Sequence, residues 1–367
     1  IFYYRAEGNV TFSQVNIQPF LQNVEFDFAN LGNITAGTPN NTGLQGGISA
    51  IDPNLKNPYI MQYSLGVQRE LPKGMLLETT YVGNVGHHLI RQPNINFPNL
   101  ASVAANPSFS TNYFNPYKGF TGISQYRSDS NSNYNSLQIY LSKRTGQITY
   151  TVSYTFAKTL GDSQSNGSSL ENWRDLNYNY GELNIDRKHA AVGTVVWQLP
   201  TFRNKNLLLR EAVGGIQISG VVRLQSGPFW TIQGNTSTGN RRADYHGGNK
   251  YAKDNRFTLA NHQAQWLNNG LSPDGVNKVF SSAPAGAFGS SGVAGIVMPG
   301  LEQTDVTLSK LFDFRERVQF KLQADAFNVL NHTNYSSLDT NVSDAAFGRL
   351  NGAYPARQMQ FGAKVIF

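Results

Sequence analysis

The side chains of this chain that could do chemistry fall into a few clusters. His87 and His88 offer two imidazoles. Adjacent strand residues point to opposite faces, so a shared metal ion is the weaker reading and a structural role the stronger. Asp129, Asn131 and Asn133 have the spacing that opens a calcium loop, but Tyr134 stands where such a loop wants glycine and Tyr140 where it wants glutamate. Asp186, Arg187, Lys188 and His189 form a charge cluster suited to ion pairs at a rim, with ligand contact as the alternative. The same two readings apply to Arg241, Arg242, Asp244, Tyr245 and His246. Glu171, Trp173, Arg174, Tyr178 and Tyr180 form the most aromatic segment, of the kind that suits sugars or peptides. Against that, Tyr and Trp also gather at membrane interfaces for purely physical reasons. The candidate ligand contacts are therefore Trp173, Arg174, Tyr178, Tyr180, Arg241, Arg242 and Tyr245. With no cysteine, no Gly-rich phosphate loop, no nucleophile elbow and no His-Glu helix motif, neither an enzyme nor a resident metal or cofactor is expected.

The elements that must position these residues follow from a repeated pattern, in which segments of about ten residues place apolar side chains at every second position. In Arg317 to Leu330, Val318, Phe320, Leu322, Ala324 and Ala326 share one face, while Gln319, Lys321, Gln323 and Asp325 share the other. Leu137, Ile139 and Leu141 alternate with Ser136, Gln138, Tyr140 and Ser142; Ile148, Tyr150, Val152, Tyr154 and Phe156 alternate with Thr and Ser. Val306 and Leu308 repeat the pattern, as do Met359, Phe361, Ala363, Val365 and Phe367. Further strands are read at about 59–71, 75–90, 187–199 and 214–233. That makes nine strands, with one or two weaker candidates within 1–28.

Connections sort these strands into an architecture. Leu71 to Gly74, Arg144 to Gly146 and Asp313 to Glu316 are tight turns, residues 200–213 are intermediate, and 97–133, 160–186, 234–300 and 331–356 are long Gly/Asn/Ser-rich loops. Short and long connections alternate, which puts all the long loops at one end of the strands, as in transmembrane β-barrels. Composition agrees. Charged residues make up 14% and mean hydropathy is -0.38, because Asn, Ser, Thr, Gln and Gly carry the polarity. Ordinary soluble domains carry about 25% charged residues. The net charge of +7 is scattered, with no basic face for nucleic acid. No stretch reaches the ~18 to 20 apolar residues of a spanning helix. The fold expected is an all-β antiparallel barrel portion of about 9 to 11 strands, with a soluble β-sandwich or propeller as the alternative.

Several stretches carry a family resemblance: Asn57 to Leu71 (NPYIMQYSLGVQREL), Glu78 to Gly83 (ETTYVG), Asp186 to His189 (DRKH), Ile218 to Phe229, Ala324 to His332 (ADAFNVLNH), and Arg357 to Phe367. In this order they resemble the barrel of Oar-like TonB-dependent receptors, over about residues 55–367. The resemblance implies a transporter in the outer membrane of a Gram-negative bacterium, taking up a solute such as a saccharide, peptide or chelate. It implies a 22-stranded barrel filled by an N-terminal plug, and an inner-membrane TonB complex that pulls on the plug's periplasmic box. Plug and box are expected to lie before Ile1, with residues 1–58 contributing weaker strands and an extracellular loop and 59–367 the C-terminal barrel strands. Phe367, with Phe361 in the same phase, resembles the aromatic signal read by the barrel-assembly machinery. Other readings remain open: a surface adhesion or structural barrel, and a soluble all-β binding module.

Overall fold

The computed structural model describes residues 47–109, 111–118, 120–164, 171–201, 213–236, 239–252, 264–315 and 318–367, together with three short strand pieces near the N-terminus. Nine long strands follow one another in a single antiparallel sheet. They are β1 (Tyr59–Leu71), β2 (Met75–Arg91), β3 (Ile123–Lys143), β4 (Ile148–Gly161), β5 (His189–Gln198), β6 (Ile216–Gln225), β7 (Leu301–Arg315), β8 (Val318–Phe327) and β9 (Gln358–Ile366). Each pairs with its sequence neighbours. Among the described residues no sheet closes: β9 pairs only with β8, and Phe2–Tyr3 adds two residues to the free side of β1. The other N-terminal piece read as a strand, Phe26–Asp27, pairs with Thr38–Pro39, and the rest of 1–28 lies outside the described residues.

Register decides what each face is. Paired residues share a face, so the separate alternations can be joined across strands. Leu141 pairs with Val152, Val152 with Gly193, Gly193 with Val222 and Val222 with Thr304. Trp197 pairs with Ile148 and Ile218, Ile218 with Leu308, Leu308 with Ala324, and Ala324 with Phe361. Every apolar set read in the sequence thus falls on one face. On the other, Thr151 pairs with Ser142 and Thr194, and Thr307 pairs with Ser219 and Asp325, which pairs with Gln360.

The polar face is the more sheltered of the two. Ser136, Ser142 and Ser309 are buried, whereas Leu137, Val152, Leu308, Leu322 and Phe361 stand exposed on the apolar face. A soluble sheet would hide the second set, because an exposed apolar surface of this extent is costly in water. Aromatic residues mark both ends of the apolar face. Tyr63 and Phe156 lie toward the long loops; Tyr150, Trp197, Phe312 and Phe320 lie toward the short turns. Aliphatic residues fill the space between, which is the order of a membrane-spanning band with its two girdles.

The turns sit where the sequence puts them. Lys73 and Gly74 take positive φ, 66° and 68°, to close β1 to β2, and Gly146 takes 91° between β3 and β4. Two boundaries differ from expectation. The segment 97–133 is not loop throughout: β3 begins at Ile123, so its polar upper part continues the ladder above the apolar band. The strand read over 214–233 ends at Gln225, after which Phe229–Trp230 leaves the sheet to pair with Ile296–Val297.

Candidate functional site

All four long connections leave the same end of the sheet and lock together. The loop joining β6 to β7 and the loop joining β8 to β9 build a core of their own, from Ile232, Leu267, Val279, Ile296, Leu338 and Leu350 among others. This is where the buried apolar side chains concentrate; each contributes about 1.5–3 kcal/mol relative to exposure. Backbone pairing ties the two loops, with Ala264 opposite Leu350 and the Gln233 N–H donating to the Thr340 carbonyl at 2.9 Å. The loop between β2 and β3 joins through Phe97, whose ring stacks on Phe288 with centroids 6.3 Å apart.

The loop between β4 and β5 joins through charge. Glu171 accepts from the Arg242 backbone N–H at 3.1 Å and from its Nε at 3.3 Å. The guanidinium lies 3.4 Å from the Tyr178 ring centroid and donates from Nη2 to the Tyr178 carbonyl at 2.8 Å. Tyr178 Oη in turn donates to the Gly289 carbonyl at 2.9 Å. Tyr178 is held in place by a short helix, Leu176–Asn179, whose capping Asp175 accepts its N–H. Burial, then the nearby Glu171 charge, push the Tyr178 hydroxyl far above its ordinary pKa, so it stays a donor.

These contacts divide the candidate ligand residues. Arg242 and Tyr178 are engaged in the interloop lock, and the Arg242 side chain is 7% exposed. Tyr245 is also occupied, with its hydroxyl on the Gly248 carbonyl at 2.5 Å and its ring 5.3 Å from Phe280. Arg241 pairs through its backbone with Gly234 in a small hairpin; its side chain lies outside the described residues. Arg174 and Tyr180 are exposed, and Trp173 is half-buried between the cations of Arg174 and Arg127, at 4.8 and 5.6 Å. Phe361 lies on the apolar face in the loop-side half of β9, Phe367 lies just past the short-turn end of that strand, and both are exposed.

Sequence reading missed Arg91. Its side chain is 2% exposed, its Nε and Nη2 donate to Asp129 at 2.5 and 2.8 Å, and Nη2 reaches the Trp173 carbonyl at 3.3 Å. Arg127 holds the same Asp129 at 2.9 Å. Nothing local in the sequence pairs Arg91 with Asp129, since 38 residues separate them. The pairing also answers the calcium question: Asp129, Asn131 and Asn133 lie along one strand, about 7 Å apart by strand rise, and cannot wrap an ion. The premise applied to His87 and His88 does need correction. A register shift after Gly86 and a φ of 56° at His88 turn the second ring, so both imidazoles pack against Tyr59, at 5.3 and 5.6 Å. His87 Nδ1 bonds Asn131 at 2.9 Å, and no group of three metal-ligating side chains occurs among the described residues.

At the β4 to β5 re-entry, Asp186 is buried and accepts from Thr159 at 3.0 Å, while Arg187 Nη1 donates to the Asn184 and Asp186 carbonyls. That is a rim structure built from local contacts.

Comparison with known proteins places this geometry. The model of a family described as the outer membrane beta barrel domain matches residues 1–360. No curated protein matches the chain. Among solved structures, the chain is similar to the outer membrane transporter YddB from Escherichia coli, at 12% identity and a TM-score of 0.47, over 88% of this chain and 34% of that one. It is also similar to the FrpB iron transporter from Neisseria meningitidis, at 12% identity and a TM-score of 0.42, over 87% and 33%. The chain thus spans about a third of the length of these structures.

Proposed function

Because this chain belongs to the outer membrane beta barrel domain family, and so sits in the outer membrane of a Gram-negative bacterium, we propose that it is the C-terminal barrel portion of an Oar-like TonB-dependent receptor. In this reading the receptor takes up a solute, whether saccharide, peptide or chelate, and carries out no covalent chemistry. The observation that carries the proposal is the pairing of a sheltered polar sheet face with four long loops locked over one end. A barrel serving only as an anchor for adhesion does not need its loops tied to one another above a hydrated interior. A folded roof does suit a receptor that must admit one solute and exclude others.

Further support comes from the serial motifs at Asn57 to Leu71, Ile218 to Phe229 and Ala324 to His332. The plug, the energy-coupling box, the TonB complex and the barrel-assembly machinery belong to this proposal as partners or as further segments of the receptor. Arg174 and Tyr180, with Trp173 beside Arg174, are the proposed solute contacts, since Arg242, Tyr178 and Tyr245 are committed to holding the loops.

The test compares a strain carrying the full-length receptor with one lacking it, and with one whose inner-membrane energising complex is disabled. Solutes depleted from a defined mixture are measured in all three. The reading predicts one class of solute that only the first strain depletes. Identical depletion in all three, with surface attachment lost in the deletion strain, would replace it by the adhesion reading.

A further inference from the structure

The apolar face carries a cavity of about 820 Å3 near its loop end, outside the sheltered interior. Its wall on the sheet comes from Leu224, Glu302 and Thr304. Leu224 pairs with Glu302 and Val222 with Thr304, so these residues share the face of Val306 and Leu308, the face that contacts lipid. Leu224 and Glu302 lie one pair from the upper end of that ladder, which places the cavity at the loop-side edge of the aliphatic band. Its other wall belongs to the folded loops, where Trp266 and Tyr335 supply two aromatic rings and His332 an imidazole.

The polar side of this cavity is built rather than accidental. Asn334 is buried and clamps Glu302 from both directions, accepting from its N–H at 2.8 Å and donating to its carbonyl at 2.9 Å. Asn334 Oδ1 also meets His332 Nδ1 at 3.2 Å, and His332 Nε2 faces the Glu302 carboxylate at 3.8 Å. Trp266 is fixed by its Nε1, which donates to the Val297 carbonyl at 2.8 Å. Aromatic faces attract the weakly positive C–H groups of a pyranose ring, while a carboxylate and an imidazole at the rim bond its hydroxyls. Space for one or two rings is present, as a cavity of ~300–1,000 Å3 holds a small ligand.

We propose that this cavity binds a sugar ring of the saccharide headgroup of the glycolipid that forms the outer leaflet. Position selects that occupant: the cavity lies on the lipid-facing side at the loop-side edge of the apolar band, next to the headgroups, where a solute crossing the interior does not pass. The charge present agrees, because Glu302 and His332 suit neutral hydroxyls and offer no cationic cluster for a phosphate. The inference rests on the barrel face assignment but not on solute transport.

The experiment uses full-length receptor in detergent, delipidated, and titrated with lipopolysaccharide or with the soluble core oligosaccharide released from it. Binding is read by tryptophan fluorescence, with Trp266→Phe identifying the reporting residue. Both ligands are expected to bind, and Glu302→Gln and His332→Ala, which alter only exposed rim groups, should each weaken binding about tenfold. Phosphatidylethanolamine vesicles should give no response. Absence of binding, or binding that neither rim variant changes, would overturn the proposal. So would an unrelated soluble oligosaccharide binding tenfold more tightly than the glycolipid, which would make the cavity a cargo site. Solute uptake surviving in the rim variants would leave the transport reading intact, so the two fail separately.

Discussion

Val221 and Val222 offer a direct test of the face assignment, because they are the same residue in adjacent positions and differ only in the side of the sheet they occupy. Val222 pairs with Gly193 and Thr304 on the apolar face, and Val221 with Thr194 and Asp305 on the polar one. Val222 lies six residues above Ile216, about 15 Å along the membrane normal for a strand tilted by ~40°, close to the middle of a ~25 Å apolar band. An arginine on the lipid face near the midplane costs about 2–4 kcal/mol, falling toward zero at the interfaces. Val222→Arg should therefore lower the folded-to-unfolded ratio roughly 30- to 700-fold, at about 1.4 kcal/mol per decade. Val221→Arg places its charge opposite Asp305 in a hydrated interior, where a cross-strand pair returns about 0.2–1 kcal/mol. The assay is urea unfolding of the full-length barrel refolded into vesicles, followed by the gel shift between folded and heated forms. The reasoning is refuted if Val221→Arg is the more damaging of the two, or if the pair are equal.

Other perturbations address the loops. Glu171→Gln leaves Arg242 buried without its carboxylate, at a local cost of about 3–5 kcal/mol, and should expose 226–300 to protease on intact cells; unchanged cleavage would deny the interloop lock. At Gly227 an added Cβ would come within 1.9 Å of the Met298 carbonyl oxygen, so Gly227→Ala must push the two backbone segments away from each other and should destabilise by ~1–3 kcal/mol in the same unfolding assay. Bonds from Ser272, from Asn277 and from the Val276 and Asn277 backbones hold the Asp274 carboxyl well below the usual carboxylate range. A depressed folded pKa means its contribution is present above the unfolded value, near pH 4, and is lost as pH falls through the folded one. Hydrogen exchange of the 272–277 turn should accelerate on that descent, and Asp274→Asn should remove the dependence.

The strands were the most legible feature of the sequence, since a period of two is a local property that any ten residues display. All nine appear, and Val318, Phe320 and Leu322 share a face on which Leu322 stands exposed. Boundaries were less legible where polar residues continue a strand beyond the membrane. Ser124 to Asn133 have no apolar alternation to announce them, yet ladder bonds to β2 and a parallel partner, Ile48–Ile51, keep them extended. The candidate site was legible in residue type and not in role. Arg242 and Tyr178 looked like ligand groups because cation and ring are what a binding loop uses; the same pair serves equally well to fasten two loops.

Taken alone, the sequence determined the fold class, the two faces of five of the nine strands and the end at which the long loops gather. These follow from spacing along the chain, where neighbours in sequence are neighbours in space. Tertiary structure alone decided which loop residues remain open, that Arg91 meets Asp129, and that Leu224 and Glu302 face Trp266 and His332 across a cavity. Each joins segments tens of residues apart, and contacts at that separation depend on the path of the loops, which no local period records.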